Sequence, residues 1–110
     1  MPIASMPVVD LPSEFRERFQ RLAAEWKQRS RYLSNTAQMA MLPCYQRIIG
    51  MGLPAVPLIL EELRRQPDQW FWALEAITEA NPVPPEAAGQ VRAMAAAWVA
   101  WGQQLAHEVT

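Results

Sequence analysis

A chain of 110 residues is one domain's worth, and 51% hydrophobic with 19% charged residues excludes a disordered chain. The net charge of −1 and the isoelectric point near 5.8 exclude both the global positive excess of a general nucleic-acid binder and a strongly acidic tail. One cysteine and one histidine, Cys44 and His107, rule out an intramolecular disulfide and a cysteine-based zinc site; no metal and no cofactor is expected, and a reducing, cytoplasmic setting fits this usage.

Residues 1–12, MPIASMPVVDLP, read as an extended lead-in to a single helical domain over 13–110, because Pro2, Pro7 and Pro12 discourage helix. The lead-in lacks Lys, Arg and a long apolar run, so it is not expected to be a secretory signal. The longest apolar stretches, such as Leu53 to Leu60, fall well short of the roughly 20 residues a membrane span needs. A soluble protein with no membrane partner is expected.

A first helix is predicted over about 13–31, with Asp10 or Ser13 as its cap. Phe15, Phe19, Leu22, Ala23 and Trp26 recur at helical spacing and form one apolar stripe. Its polar side pairs Glu14 with Arg18, Glu17 with Arg21 and Glu25 with Arg29, each acid four residues N-terminal to its base, the better orientation. Ser34 or Asn35 can cap a short turn that Pro43 closes. Pro43 also suits the first turn of a short helix, Cys44 to Ile49, ended by Gly50 and Gly52.

In GLPAVPLILEELRRQPDQWFWALEAIT, Pro54 and Pro57 sit in a first helical turn, where the missing N–H is tolerated. Val56, Ile59, Leu60 and Leu63 give that helix an apolar face, and Glu61 is expected to pair with Arg65. Pro67-Asp68 makes a turn, Asp68 is placed to cap the next helix, and Trp70, Ala73, Leu74 and Ile77 share one face of it. So short a connection predicts two antiparallel neighbours. The run Asn81-Pro82-Val83-Pro84-Pro85 is a rigid loop. A last helix starts between Glu86 and Gln90, its stripe formed by Val91, Met94, Ala95, Trp98, Trp101 and Leu105. The class is all-α: a compact bundle of about five helices.

Residues 52–78 resemble a HEAT-type repeat, in which a first helix reads roughly G-x-x-A-V-P-L-L-x-x-L and a second carries an A-L-x-x-I/L core. Gly52, Ala55, Val56, Pro57 and Leu58 match the first, with Leu63 one place beyond its final Leu, and Ala73, Leu74 and Ile77 match the second. Repeat arrays need about three or more stacked units, whereas one copy is present here, and Trp70-Phe71 stands where the second helix often begins with Val-Arg. The resemblance therefore implies one HEAT-like antiparallel hairpin inside a closed bundle. The strings YQRIIGMG, WFWALEAIT, NPVPPE and AWVAWG are also similar to a family of small bacterial proteins, a resemblance that implies no activity.

Chemistry-bearing residues are sparse. Cys44 and His107 are the one nucleophile–imidazole pair the composition offers, and nothing in the spacing brings them into the hydrogen-bonded geometry nucleophilic catalysis requires. The Gly50-Met51-Gly52 string lacks the rest of a phosphate-binding fingerprint. No enzymatic activity is expected. Four of the five tryptophans, Trp26, Trp70, Trp98 and Trp101, fall on apolar stripes and read as core. Trp72 lies about 200° from Trp70 on a helix, on the side of Glu75 and Glu79. It reads either as a binding anchor or as a side chain buried beneath another helix or the proline-rich loop. With Phe71, Glu75 and Glu79 it forms a candidate partner-binding set.

The expected function is a non-catalytic protein–protein interaction module, in the manner of an immunity factor, antitoxin or assembly adaptor. In one alternative the protein binds nucleic acid through the basic face of the first helix, Arg16 to Arg31, with the local surplus at Lys27, Arg29 and Arg31 as the candidate contacts. Charge there also complements the helix dipole, and the bland reading as a solvated face takes precedence. In the other alternative Trp72 is buried in a homo-oligomer.

Overall fold

The computed structural model describes residues 12–109, with side chains through Ala106. The lead-in expected before Pro12, Asp10 included, lies outside the described residues. The described chain holds six α-helices and no strand. They are α1 (Ser13–Ser30), α2 (Thr36–Met41), α3 (Pro43–Gly50), α4 (Val56–Arg65), α5 (Phe71–Thr78) and α6 (Val91–Val109). Short 3-10 turns at Leu53–Ala55 and Pro85–Ala87 lead into α4 and toward α6. The sequence resolves about five helices because α2, only six residues long, is too short to show a stripe.

Local chemistry accounts for most boundaries. α1 begins after Pro12, whose carbonyl accepts from the N–H groups of Phe15 and Arg16; the side-chain cap expected at Ser13 is replaced by this backbone start. Asn35 caps α2 through its side-chain oxygen, which accepts from the Gln38 N–H at 3.1 Å. Pro43 opens α3 and Pro57 occupies the first turn of α4. Of the two glycines expected to end α3, Gly52 makes the turn, with φ of +77°, a conformation that penalises any Cβ.

The core joins the helices pairwise. α1 packs chiefly on α3, α3 on α5, and α4 on α6, while α4 and α5 meet less extensively. Between α1, α3 and the entry to α5 lies an aromatic cluster. Trp26 stands 4.5 Å from Trp70 and 5.1 Å from Tyr45, centroid to centroid. Phe19 and Tyr45 each lie 5.9 Å from Trp70. Rings at these separations add about 0.5–1.5 kcal/mol per pair beyond their burial. The Trp26 indole N–H donates to the Met39 carbonyl at 3.0 Å, tying α1 to α2. On the other side, Trp98 is fully buried and Trp101 stands edge-on to it. Gly102 lets α6 approach α4 closely, since a Cβ there would lie 2.5 Å from Leu60 Cδ1.

Charged pairs cross between α1 and α4. Glu62, 9% exposed, accepts from Lys27 at 2.9 Å and also binds Arg65. Arg16 reaches Glu61 at 3.6 Å. The Glu61–Arg65 pair expected within α4 is thus replaced: Arg65 turns to Glu62, three residues back, and Glu61 faces α1. Of the pairs expected along α1, Glu25–Arg29 closes at 3.1 Å.

Candidate functional site

α5 has only eight residues, too few to be a stable helix by itself, and its orientation is imposed from outside. Trp70, the residue before its first turn, is fully buried in the aromatic cluster. No side chain from the preceding loop caps it: Asp68, the expected cap, instead accepts from the Gln69 N–H at 2.8 Å and shapes the turn. The cap comes from α3. The Tyr45 hydroxyl accepts from the Ala73 N–H at 2.9 Å and donates to the Gln69 carbonyl at 3.0 Å. Burial raises this phenol well above its ordinary range, so it stays protonated and able to donate. At the far end the Thr78 hydroxyl donates to the Leu74 carbonyl at 2.7 Å and accepts from the Ala80 N–H at 3.1 Å.

So held, α5 divides cleanly. Ala73 and Leu74 are fully buried and Ile77 is half-buried, as their shared face predicts. Trp72, Glu75 and Ala76 form the outer face, and Glu79 follows at its C-terminal cap; all four are exposed. Their spacing of three, four and seven residues from Trp72 is one helical surface. Trp72 is 44% exposed and lines a shallow depression of about 310 Å³ with Glu75 and Ala76.

Phe71 is a correction. Proposed as part of the partner-binding set, it is 5% exposed, because at about 100° from Trp70 on the helix it still points into the core edge. Ala76, four residues after Trp72, takes its place on the outer face. That spacing was visible in the sequence, but a small apolar residue between two carboxylates carries little signal of its own.

The alternative basic site is brought together only in part. Lys27 is committed to Glu62 across the α1–α4 junction, and Arg29 is paired with Glu25. Arg31, beyond the end of α1, is exposed and, together with Lys27, borders a depression that also contains Ser30, Gln66 and Asp68. The structure does not assemble Lys27, Arg29 and Arg31 into one open cationic face.

Cys44 is fully buried, and burial, followed by the nearby Glu25 carboxylate, raises its thiol above the ordinary range. A thiol so placed is a poor nucleophile. The side chain of His107 lies outside the described positions. Among the described residues no group of three or more His, Cys, Asp or Glu side chains is arranged to hold a metal ion, and no helix is long and apolar enough to cross a membrane. No protein-family model, curated protein or solved structure matches the chain.

Proposed function

We propose that the protein is a non-catalytic protein-binding module that docks its partner on the outer face of α5, with Trp72 as the anchor. The role is that of an immunity factor, antitoxin or assembly adaptor, and residues 52–78 act in it as a HEAT-like hairpin. The observation that carries this reading is the 44% exposure of Trp72 on a helix fixed at both ends by side-chain hydrogen bonds. Tryptophan is enriched at interface hot spots, and a pre-ordered anchor loses little entropy on binding. Trp26, Trp70 and Trp98, by contrast, are fully buried and serve the core. The buried, protonated Cys44 thiol supports a role without chemistry.

The test compares wild type with Trp72→Ala in affinity capture from the native cell, alongside thermal unfolding of both. A stoichiometric protein lost from a variant that still folds supports docking at this face. A variant that unfolds, or one that retains the partner, refutes it. Sedimentation of the wild type addresses the homo-oligomer alternative: self-association lost in Trp72→Ala would make the partner a second copy.

A further inference from the structure

We propose that the α5 face takes a basic partner segment, with a guanidinium over the Trp72 indole and Glu75 and Glu79 as its counter-charges. This rests on the docking reading above and names the chemistry of the occupant. The charge distribution along the chain is its starting point. Between Gln66 and Val91 the acids are Asp68, Glu75, Glu79 and Glu86, and there is no Lys or Arg. Lysines and arginines elsewhere in the chain are abundant, yet among the described residues none lies within ion-pair distance of Glu75 or Glu79. The carboxylates on this face are left for an external cation.

Two further features select that cation's shape and a third its charge. The exposed indole offers a negative π-face, which attracts cations and stacks best with planar guanidinium. Glu75 and Ala76 stand one turn beyond Trp72, and the small alanine opens the depression of about 310 Å³ beside the ring, with room for an aliphatic stem. The C-terminal end of α5, where Glu75 and Glu79 sit, carries the negative pole of the helix dipole. Helix ends of this kind ordinarily carry Lys or Arg, whereas this one has no basic residue in its last turn. Carboxylate repulsion and dipole act in the same direction, against an anion and in favour of a cation, and the Trp72 ring selects the guanidinium among cations.

The test is a titration of the full-length protein with a short arginine–alanine peptide, followed through the indole N–H resonance of Trp72 and the amides of Glu75 and Glu79. Lysine–alanine and glutamate–alanine peptides of equal length serve as comparisons. The arginine peptide is expected to shift Trp72 most, the lysine peptide less and the glutamate peptide not at all. Binding should weaken about two- to fivefold in Trp72→Ala and about three- to tenfold in the double variant Glu75→Gln, Glu79→Gln. It should also weaken as salt rises from about 0.1 M to about 1 M. An undisturbed Trp72 resonance, or binding that survives the double variant, overturns the proposal. Affinity capture separates this failure from that of the docking reading. A native partner lost in Trp72→Ala but retained in the double variant leaves the docking face standing and removes the basic occupant; one retained in both removes the face itself.

Discussion

The N–H of Ala73 donates to the hydroxyl of Tyr45 across 2.9 Å in a buried setting, so that a side chain of α3 caps a helix 28 residues further along the chain. This bond holds the third amide of α5, the position an Asp, Ser or Thr at the helix start ordinarily satisfies. The same hydroxyl donates to Gln69. Tyr45 therefore sets the entry angle of the helix that displays Trp72.

Replacing Tyr45 with phenylalanine keeps the stack on Trp70 and the tilted contact with Trp26 and removes only the hydroxyl. The Ala73 N–H and the Gln69 carbonyl would then lose their partner in a low-dielectric site, at a cost of about 1–3 kcal/mol. Urea unfolding should show this loss, and amide exchange should quicken first at Ala73 and Leu74. Unchanged stability would mean that water satisfies the helix end and that Tyr45 is only a packing residue.

Alkaline pH should destabilise the fold. Burial raises the Tyr45 phenol above its ordinary 10.0 and the Cys44 thiol above its ordinary 9.0. In the unfolded chain both groups lose their protons first, so between unfolded and folded values the unfolded state binds fewer protons and stability falls with rising pH. This contribution is fully present below about pH 9 and declines above it. Tyr45→Phe should flatten the part of the decline that begins near pH 10.0. Stability that rises between about pH 8 and about pH 10 would contradict this account.

Glu62 should matter more than Glu61. Its carboxylate is mostly shielded and binds both Lys27 and Arg65, while the Glu61 carboxylate is more exposed and lies 3.6 Å from Arg16. Glu62→Gln is expected to cost about 1–2 kcal/mol, discounted from a fully buried pair because Lys27 and Arg65 retain water. Glu61→Gln should cost less than about 0.5 kcal/mol. A double-mutant cycle of Glu62→Gln with Lys27→Met checks the assignment, and a coupling near zero would refute it.

Glu79 stands in a left-handed conformation, with φ of +58°, at the C-cap of α5. Glycine is the usual residue there because a Cβ is penalised. Glu79→Gly should therefore raise stability by about 1 kcal/mol while weakening partner binding. A gain in the unfolding midpoint together with a lower affinity is the expected pair of results. A destabilised variant would show that the carboxylate supports the fold instead.

Helical periodicity was enough to read the class, the α1 and α6 stripes and three of the core tryptophans, because a stripe over many turns needs only spacing. It also placed Trp72 opposite Trp70, since that is a local relation within one helix. Tertiary choices were not legible. Asp68 looked like a cap by position, but Tyr45 supplied the bond from a distant helix, and no local pattern encodes that. Phe71 looked like a neighbour of Trp72 in sequence, yet adjacent helical residues diverge by about 100°. Glu61 and Arg65 had the right spacing for a pair, and α1 brought competing partners to α4.

The division of packing between the helices has a dynamic consequence. α5 rests on α3 and α3 on α1, whereas α6 is held chiefly by α4, where the Leu60 side chain fills the space beside Gly102. Local openings should therefore begin at α6 and reach the α1–α3–α5 group only near global unfolding. Hydrogen exchange would then rank α6 amides as less protected than those of α3. Trp72 would keep its orientation through excursions that loosen the C-terminal helix, and a bound partner would raise protection in α5 without slowing the opening of α6.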